Sequence, residues 1–593
     1  MTACTEYLDK EPEAEISSTE AFINFTNFQG FTEELYSLVP DFTSAVWACN
    51  WLFGDEALNS VGGIWVNDQF DKGNFWGWTG GSAWISYLDA GSVSNNPEST
   101  FDKGLWPNSW YAIRKANVGL ENLEYLVDAT DEERNLIEGQ LLFFRAWYHF
   151  QLMMYWGGMP YVDHVLPSGE PVDLPRLTYQ ECAERAAQDF RTAADLLPVD
   201  WDATTAGQLT QGKNQLRITK IMALAYLGKN YLYAGSPLMN KVSTGSATYD
   251  AEYCQQAAAA FAEMLQYIDS GESFVQLVDS TQYQNLFFTD GGSEIPGWQE
   301  AVFMAPVYSS WFKGCPWGPS SIFCDANIGG GYVSPNARYV ENYGMANGLP
   351  IDDPASGYDP ADPWSNRDPR FYNDIVIDGE QVIAGSAPAD KEKYRYVHLH
   401  NFNNETQLGK SSLKSGRTGY LIKKLTPMTA NDVDGFPNNY MHVAYMRLPD
   451  VYLMYAEAVL HGYGSATASH PGYITAEEAF NVVRTRMGAG AIDSKFVADM
   501  NLFMSEIIRE RAVELAFEAN FRFHDLRRWM LAGEKKYLEK TAHDFDRDPN
   551  TGKPINMKER VLVTRPFEAK HYWLPLKISD VTISESFQQN PGW

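Results

Sequence analysis

Aromatic side chains in glycine-rich segments are the residues of this sequence best suited to hold a ligand. Trp, Tyr and Phe form 14% of its 593 residues, and their large rings bury much area at low entropic cost. One predicted cluster lies in the segment 60–85 and contains Trp65, Asn67, Asp68, Trp76, Trp78 and Trp84. A second contains Trp298, Tyr308, Trp311 and Trp317, with Asp41, Arg367 and Tyr394 added from neighbouring loops. Rings for stacking, beside carboxylate, amide and guanidinium groups that pair with hydroxyls, are what a sugar site requires.

Core packing is the competing interpretation of each of these side chains. Taken singly, any one of them is more often buried for packing than used for binding. Arg367 also stands in an Arg-Asp-Pro-Arg context that is suited to locking a turn. The prediction is therefore that some members of the two clusters contact a ligand, rather than all of them.

Catalytic motifs are absent from the sequence. It contains no G-x-S-x-G, no H-E-x-x-H and no glycine-rich phosphate loop, so we predict a binding protein and not an enzyme. An α-helical glycoside hydrolase stays open as an alternative, because the two acids of such an enzyme come from distant segments. A pure scaffold for protein partners is a third hypothesis, and it predicts no small ligand.

Charge and acidic loops bound the partners further. The formal net charge of −30 argues against nucleic acid and against electrostatic attachment to an anionic membrane. Two acid-rich loops, around Asp352–Asp362 and Asp544–Asn550, have the residue type for calcium but lack EF-hand spacing. We interpret them as solvated loops and predict no metal site and no cofactor, with calcium as the alternative.

The elements that must position these residues are helical. Capping boxes at Thr130, Thr178 and Thr475 each precede an apolar run with a period near 3.6. Small and aromatic residues then recur at the spacing of tetratricopeptide-like helix pairs, in which Gly228 admits a partner helix closely. The sequence predicts a mainly α fold, with a helical repeat scaffold over about 105–271 and 440–532. A loop-rich insertion at about 272–439 would carry short β-hairpins.

The cysteines and the beginning of the chain carry separate predictions. Cys182 and Cys254 lie on helical patterns and are expected to be buried. Cys315 and Cys324 can form a disulfide only if the fold brings them together. Thr2-Ala3-Cys4 looks like the end of a lipoprotein cleavage site, which makes Cys4 either a lipidated residue or an ordinary cysteine. Residues 1–20 would then be a tether to one unit at 21–593, and no apolar run is long enough to span a membrane.

Several motifs together resemble one known family. The most specific lie near the end of the chain, at 509–511, 525–529 and 589–593. Supporting matches lie at 145–146, 155–160, 366–370, 419–424, 447–450 and 455–458, and the start resembles the family's mature N-terminus through Cys4, 7–9 and Pro12. In these features, over nearly its whole length, the chain resembles the SusD/RagB family of outer-membrane nutrient-binding lipoproteins of Bacteroidetes.

The resemblance implies a function that the residues alone do not establish. It implies a surface-exposed outer-membrane lipoprotein, anchored through a lipid on Cys4, that captures oligosaccharides and passes them to a SusC-like TonB-dependent transporter. A peptide-binding member of the same family is the alternative. The resemblance supplies no catalytic residues, and the family's ligand site varies too much to be carried over residue by residue.

Overall fold

The structure, a computed structural model, is rich in helices, as the sequence predicts. It describes residues 20–42, 51–59, 66–79, 87–89, 104–167, 173–290, 295–306, 333–390, 392, 395–400, 417–425, 433–434, 439–582, 584 and 586–593. The helices of the first half are α1 Phe25–Ser37, α2 Val66–Asp71, α3 Leu105–Glu121, α4 Asp131–Trp156, α5 Tyr179–Leu196, α6 Thr205–Gln208, α7 Lys220–Gly235, α8 Pro237–Thr244 and α9 Ala251–Asp269. Those of the second half are α10 Ala337–Val340, α11 Pro369–Asp374, α12 Leu448–Tyr463, α13 Ala476–Arg486, α14 Ser494–Val497, α15 Met500–Glu514, α16 Phe521–Arg528, α17 Lys535–Leu538 and α18 Ile578–Val581.

The three predicted capping boxes are confirmed. Helices α4, α5 and α13 begin after Thr130, Thr178 and Thr475, whose hydroxyls accept hydrogen bonds from the backbone N–H three residues later. In each case the carboxylate of the glutamate at that position accepts a hydrogen bond from the backbone N–H of the threonine. Two otherwise unpaired N–H groups are satisfied at each helix start, which fixes where these helices begin.

The repeat helices stack as neighbouring pairs. Helix α4 packs on α3 and α5, α7 on α5 and α9, and α12 on α9 and α13. The predicted close approach at Gly228 is confirmed, because a Cβ there would lie 2.5 Å from Cε1 of Phe261 on α9. The apolar faces of these helices, which no pair can bury alone, therefore form one continuous core.

Short antiparallel strands tie distant parts of the chain to this scaffold. Their bounds are β1 Ala57–Asn59, β2 Phe288–Asp290, β3 Ala301–Phe303, β4 Val333–Pro335, β5 Ile375–Val376, β6 Leu421–Ile422, β7 Asn439–Met441, β8 Met446–Arg447, β9 Glu539–Arg547 and β10 Pro554–Thr564. The pairs are β1 with β4, β2 with β7, β3 with β8, β5 with β6 and β9 with β10.

Two predictions about β structure need correction. The insertion is predicted to carry short β-hairpins, but β5 pairs with β6, at residues 421–422, rather than with a neighbouring strand. The segment Asp544–Asn550, expected to be a solvated loop, forms the end of β9 and the turn into β10.

A buried ion network joins α12, α13, α15 and the insertion. The carboxylate of Glu514 lies 2.5 Å from Arg486, 3.1 Å from Arg370 and 3.3 Å from Arg447. On α16, Arg528 pairs with Glu457 of α12 and with Asp525 one turn earlier. The charged residues of α15 and α16 therefore help to fix how these helices pack. Among the described residues, no helix has the length and apolarity required to cross a bilayer.

Candidate functional site

Three packed rings form a buried cluster that we call the aromatic floor: Phe42, Tyr87 and Tyr445, which are 3%, 6% and 5% exposed. The ring of Phe42 stacks on Tyr87 with 4.6 Å between centroids and lies at the same distance from Tyr445. The Tyr445 hydroxyl donates to the backbone carbonyl of Pro40 at 2.6 Å, so the Tyr87 hydroxyl donates to Tyr445 at 2.7 Å. This chain of bonds fixes the ring planes.

The aromatic floor lies next to residues that flank both predicted aromatic segments. Tyr87 comes two residues after the end of the predicted segment 60–85, and Phe303 at the end of β3 packs against Tyr445. Strand β1 pairs with β4 so that Asn59 lies opposite Val333. The flanks of 60–85 and of 307–332 are therefore held beside one another by described residues, although they are far apart in sequence.

His442 hydrogen-bonds to the backbone just before the segment 307–332, at Ala305. Its Nε2 donates to the carbonyl of Ala305 at 2.9 Å, while its Nδ1 is buried and has no hydrogen-bond partner among the described residues. Burial lowers the pKa of His442, and the nearby carboxylate of Asp41 opposes that shift. A neutral imidazole with its proton on Nε2 follows, since only an N–H donates to a carbonyl.

The polar members of the first predicted cluster lie on α2. Asn67 is buried, and its side-chain oxygen accepts hydrogen bonds from the N–H of Asp68 at 2.9 Å and from Asn59 at 3.2 Å. Asp68 pairs with Lys72 one turn later at 2.5 Å. Asn67 thus links α2 to the edge of β1, next to the flank of the candidate site.

The two described tryptophans of that cluster have different surroundings. Trp78 is fully buried between Trp106 and Trp156, and its indole N–H donates to the carbonyl of Pro575 at 3.0 Å. Its ring has no exposed face for stacking in this conformation. Trp76 is half-buried and packs edge-to-face on Trp593 at 5.9 Å.

Three further predicted residues lie apart from one another. Trp298 is half-buried against Phe274, and Asp41 lies beside the aromatic floor. Arg367 is buried, and its guanidinium donates to the carbonyls of Tyr343 and Pro363 at 3.1 and 2.8 Å. This is the turn-locking arrangement that its sequence context suggested. Six predicted residues lie outside the described residues, as do the cysteines at 4, 315 and 324: Trp65, Trp84, Tyr308, Trp311, Trp317 and Tyr394.

The acidic loops have cationic partners. Asp353 pairs with Lys495 at 2.5 Å, Asp362 with Lys553 at 2.6 Å and Asp544 with Arg560 at 2.6 Å. In the part of the chain that the structure describes, no three His, Cys, Asp or Glu side chains gather as metal ligands.

Sequence reasoning missed the aromatic floor and His442. Phe42 and Tyr445 stand alone in sequence, without a motif around them. Tyr445 lies at the edge of a predicted helical repeat, where an aromatic residue indicates core packing. Only the strand pairs that bring 40–59, 301–306 and 439–447 together create the site, and a single sequence carries no signal for such pairing.

Profiles of two protein families match this chain. One, described as the SusD family, matches residues 316–593, and one described as starch-binding and associating with the outer membrane matches residues 68–232. A SusD-like protein P2 of Formosa agariphila is 23% identical over 454 residues, covering 74% of this chain and 75% of that protein.

Solved structures share the fold over nearly the whole chain. A SusD-like protein of Bacteroides fragilis superposes with a TM-score of 0.69 at 21% identity, covering 97% of this chain and 98% of that one. A SusD-like carbohydrate-binding protein of the same species superposes with a TM-score of 0.65 at 20% identity, covering 96% and 100%. The two profile matches, the related sequence and the motifs along the chain agree: the chain belongs to the SusD/RagB family.

Proposed function

We propose that this protein captures oligosaccharides at the outer surface of the outer membrane and passes them to a SusC-like TonB-dependent transporter. Residues 1–20 act as the tether, with a lipid on Cys4 as the membrane attachment. The observation that carries the proposal is the aromatic floor, at which the flanks of both predicted aromatic segments are held together. We assign ligand capture, without catalysis, to the two segments whose flanks are held together there.

The chemistry of the predicted clusters suits a sugar. Sugar rings present flat C–H faces that pack on Trp, Tyr and Phe, and hydroxyls that pair with carboxylates and amides. Asp41 supplies a carboxylate beside the aromatic floor, while Trp311 and Trp317 belong to the segment that begins just after Ala305. One of the structural relatives is described as carbohydrate-binding, and one family profile as starch-binding, which supports the same class of ligand.

A glycan array followed by calorimetry tests the ligand class. We expect Trp311→Ala or Trp317→Ala to weaken binding of the best glycan about tenfold to a hundredfold, because burial of one aromatic face contributes roughly 1.5–3 kcal/mol. Tyr125→Ala is the matched control, since Tyr125 is 42% exposed on the repeat scaffold, away from the aromatic floor.

Three outcomes would contradict the proposal. Unchanged affinity in the substitutions of Trp76, Trp298, Trp311 and Trp317 would refute the site. Binding of peptides with no glycan hit would favour the peptide-binding alternative. Hydrolysis products after incubation with oligosaccharides would establish the glycosidase alternative instead.

Membrane attachment and transporter binding need a separate experiment. We expect the full-length protein to fractionate with outer membranes, to be labelled by a fatty-acid probe and to co-purify with a TonB-dependent transporter. Cys4→Ala should abolish the label and the fractionation while leaving glycan affinity unchanged. Retention of the label in Cys4→Ala would show that another residue carries the lipid.

A further inference from the structure

A small cavity lies between the aromatic floor and the repeat helices. It is partly open to solvent, and its walls come from the floor and from α4, α7 and the region of α16. Its lining includes Phe42, Tyr87 and Tyr445, with Tyr155, Tyr226, Tyr233, Gln151, Lys229, Asn520 and His524. The space open to the centre of a water-sized sphere is about 20 Å³, where roughly 10–15 Å³ holds one water molecule. Only a very small ligand fits.

Polar groups on the cavity wall have unused hydrogen-bonding capacity. Lys229 is 4% exposed, and its ammonium has one hydrogen bond, to Asp450 at 3.4 Å, although it carries three donors. Gln151 is 2% exposed and lines the same space. Among the described residues, the side-chain oxygen of Asn520 is buried without a hydrogen-bond partner. Buried polar groups of this kind require a partner, because leaving one unsatisfied costs about 1–3 kcal/mol.

One charged residue, Lys229, lines the cavity, and further charged residues lie behind its wall. Lys229, Arg511 and Arg528 face three carboxylates, those of Asp450, Asp525 and Glu457. Arg527 adds a fourth cation, whose guanidinium donates to the backbone carbonyls of Met154, Tyr155 and Tyr572. The pKa of His524, on the cavity wall, responds to these positive charges. Its pKa is lowered by burial and then by Arg527, Lys229 and Arg528.

We propose that this cavity is a binding site for one small monovalent anion, of which chloride is the simplest. The anion would accept hydrogen bonds from the free donors of Lys229 and from the amide N–H of Gln151. It would neutralise the excess charge in a place from which bulk water is largely excluded, where electrostatic attraction is strong. A cation is disfavoured by the same field, and a sugar ring is too large for the space.

Asn520 fits the anion in one of its two amide orientations. Its Nδ2 now donates to the hydroxyl of Tyr155, which leaves the oxygen without a donor. The oxygen and nitrogen of an amide are nearly equal in shape, and a tyrosine hydroxyl both donates and accepts. With the amide turned, Tyr155 donates to Oδ1 and Nδ2 becomes a further donor to the anion.

Bromide replaces chloride in the test, because its anomalous scattering identifies it. Crystals of the full-length protein grown in bromide should show an anomalous peak within hydrogen-bond distance of Lys229 Nζ and Gln151 Nε2. Without crystals, the thermal unfolding midpoint should rise with chloride over gluconate at equal ionic strength. A cavity holding water alone, with no bromide peak and no chloride-specific rise, overturns the proposal.

Substitutions separate this site from general salt effects. Gln151→Leu removes an amide that takes part in no ion pair, and it should weaken the apparent chloride affinity at least tenfold. Gln208→Leu, at an exposed residue at the end of α6, should leave the chloride response unchanged. Lys229→Met should abolish the response, and if that variant does not fold, Gln151→Leu still decides. An undiminished chloride response in Gln151→Leu refutes the assignment. These results do not depend on glycan binding, so this proposal and the proposed function fail separately.

Discussion

The close approach of α7 and α9 makes a quantitative prediction for Gly228→Ala. The new methyl group would lie 2.5 Å from Cε1 and 2.6 Å from Cδ1 of Phe261, and that ring is fully buried. Overpacking a filled core by one methyl group destabilises a protein by about 1–3 kcal/mol. Replacing glycine in a helix interior returns about 0.5–1 kcal/mol. We therefore expect the free energy of unfolding to fall by roughly 1–2 kcal/mol.

Gly30→Ala is the matched control for this substitution. Gly30 lies in the interior of α1, and a Cβ there would have no neighbour within 4 Å. Gly30→Ala should gain only the free energy of replacing a glycine within a helix, and should stabilise the protein by about 0.5–1 kcal/mol. Urea unfolding followed by circular dichroism measures both variants, and amide hydrogen exchange locates the loss in α7 and α9. A Gly228→Ala variant as stable as Gly30→Ala would refute the reasoning.

Three further predictions concern charge and capping. Glu514→Gln leaves three buried arginines short of a carboxylate and should lower the urea-unfolding free energy by about 3–5 kcal/mol, whereas Glu534→Gln, at an exposed pair 3.7 Å long, should change it by less than about 0.5 kcal/mol. Burial raises the pKa of Asp374 to about 7, so its folded form holds a proton that the unfolded chain has released. Stability from this group is full at low pH and is lost as pH rises towards 7. Between pH 5 and 7 the unfolding free energy should therefore fall less steeply with pH in Asp374→Asn, by up to about 1.4 kcal/mol per pH unit. An unchanged dependence of the unfolding free energy on pH would contradict the raised pKa of Asp374. Thr130→Ala removes a helix cap and should cost about 1 kcal/mol, which Ser at the same position should restore.

The parts of the fold that were predictable from sequence are those set by local chemistry. Helix starts at Thr130, Thr178 and Thr475 follow from a side chain and a backbone three residues apart, so the sequence alone contains both partners. The contact of Gly228 with Phe261 was also predictable, since repeat periodicity fixes which helix faces meet. The β9–β10 hairpin was missed because charged residues occupy much of both strands, which hides the alternation.

The candidate site was only partly predictable, for a different reason. Trp76 and Trp78 are two residues apart and chemically identical, yet one is half-buried and the other lies in the core. Burial depends on contacts with 106, 156 and 575, all of them distant in sequence. Tyr445 gave no signal either, because its role arises only when its hydroxyl meets Tyr87 and Pro40.

The strand pairs that hold the aromatic floor have a consequence for the order in which the chain assembles. Helices α3 to α9 stack on one another within residues 105–269. By contrast, β1 pairs with β4, β3 pairs with β8, and Trp51 donates a hydrogen bond to the carbonyl of Phe517, so each of these contacts needs a much later part of the chain. Contacts between distant segments form slowly, since a long loop must close first. The scaffold can therefore fold while the later part of the chain is still unpaired, and the floor is completed last. A chain that has lost its final third would keep stacked helices but could not assemble the candidate site.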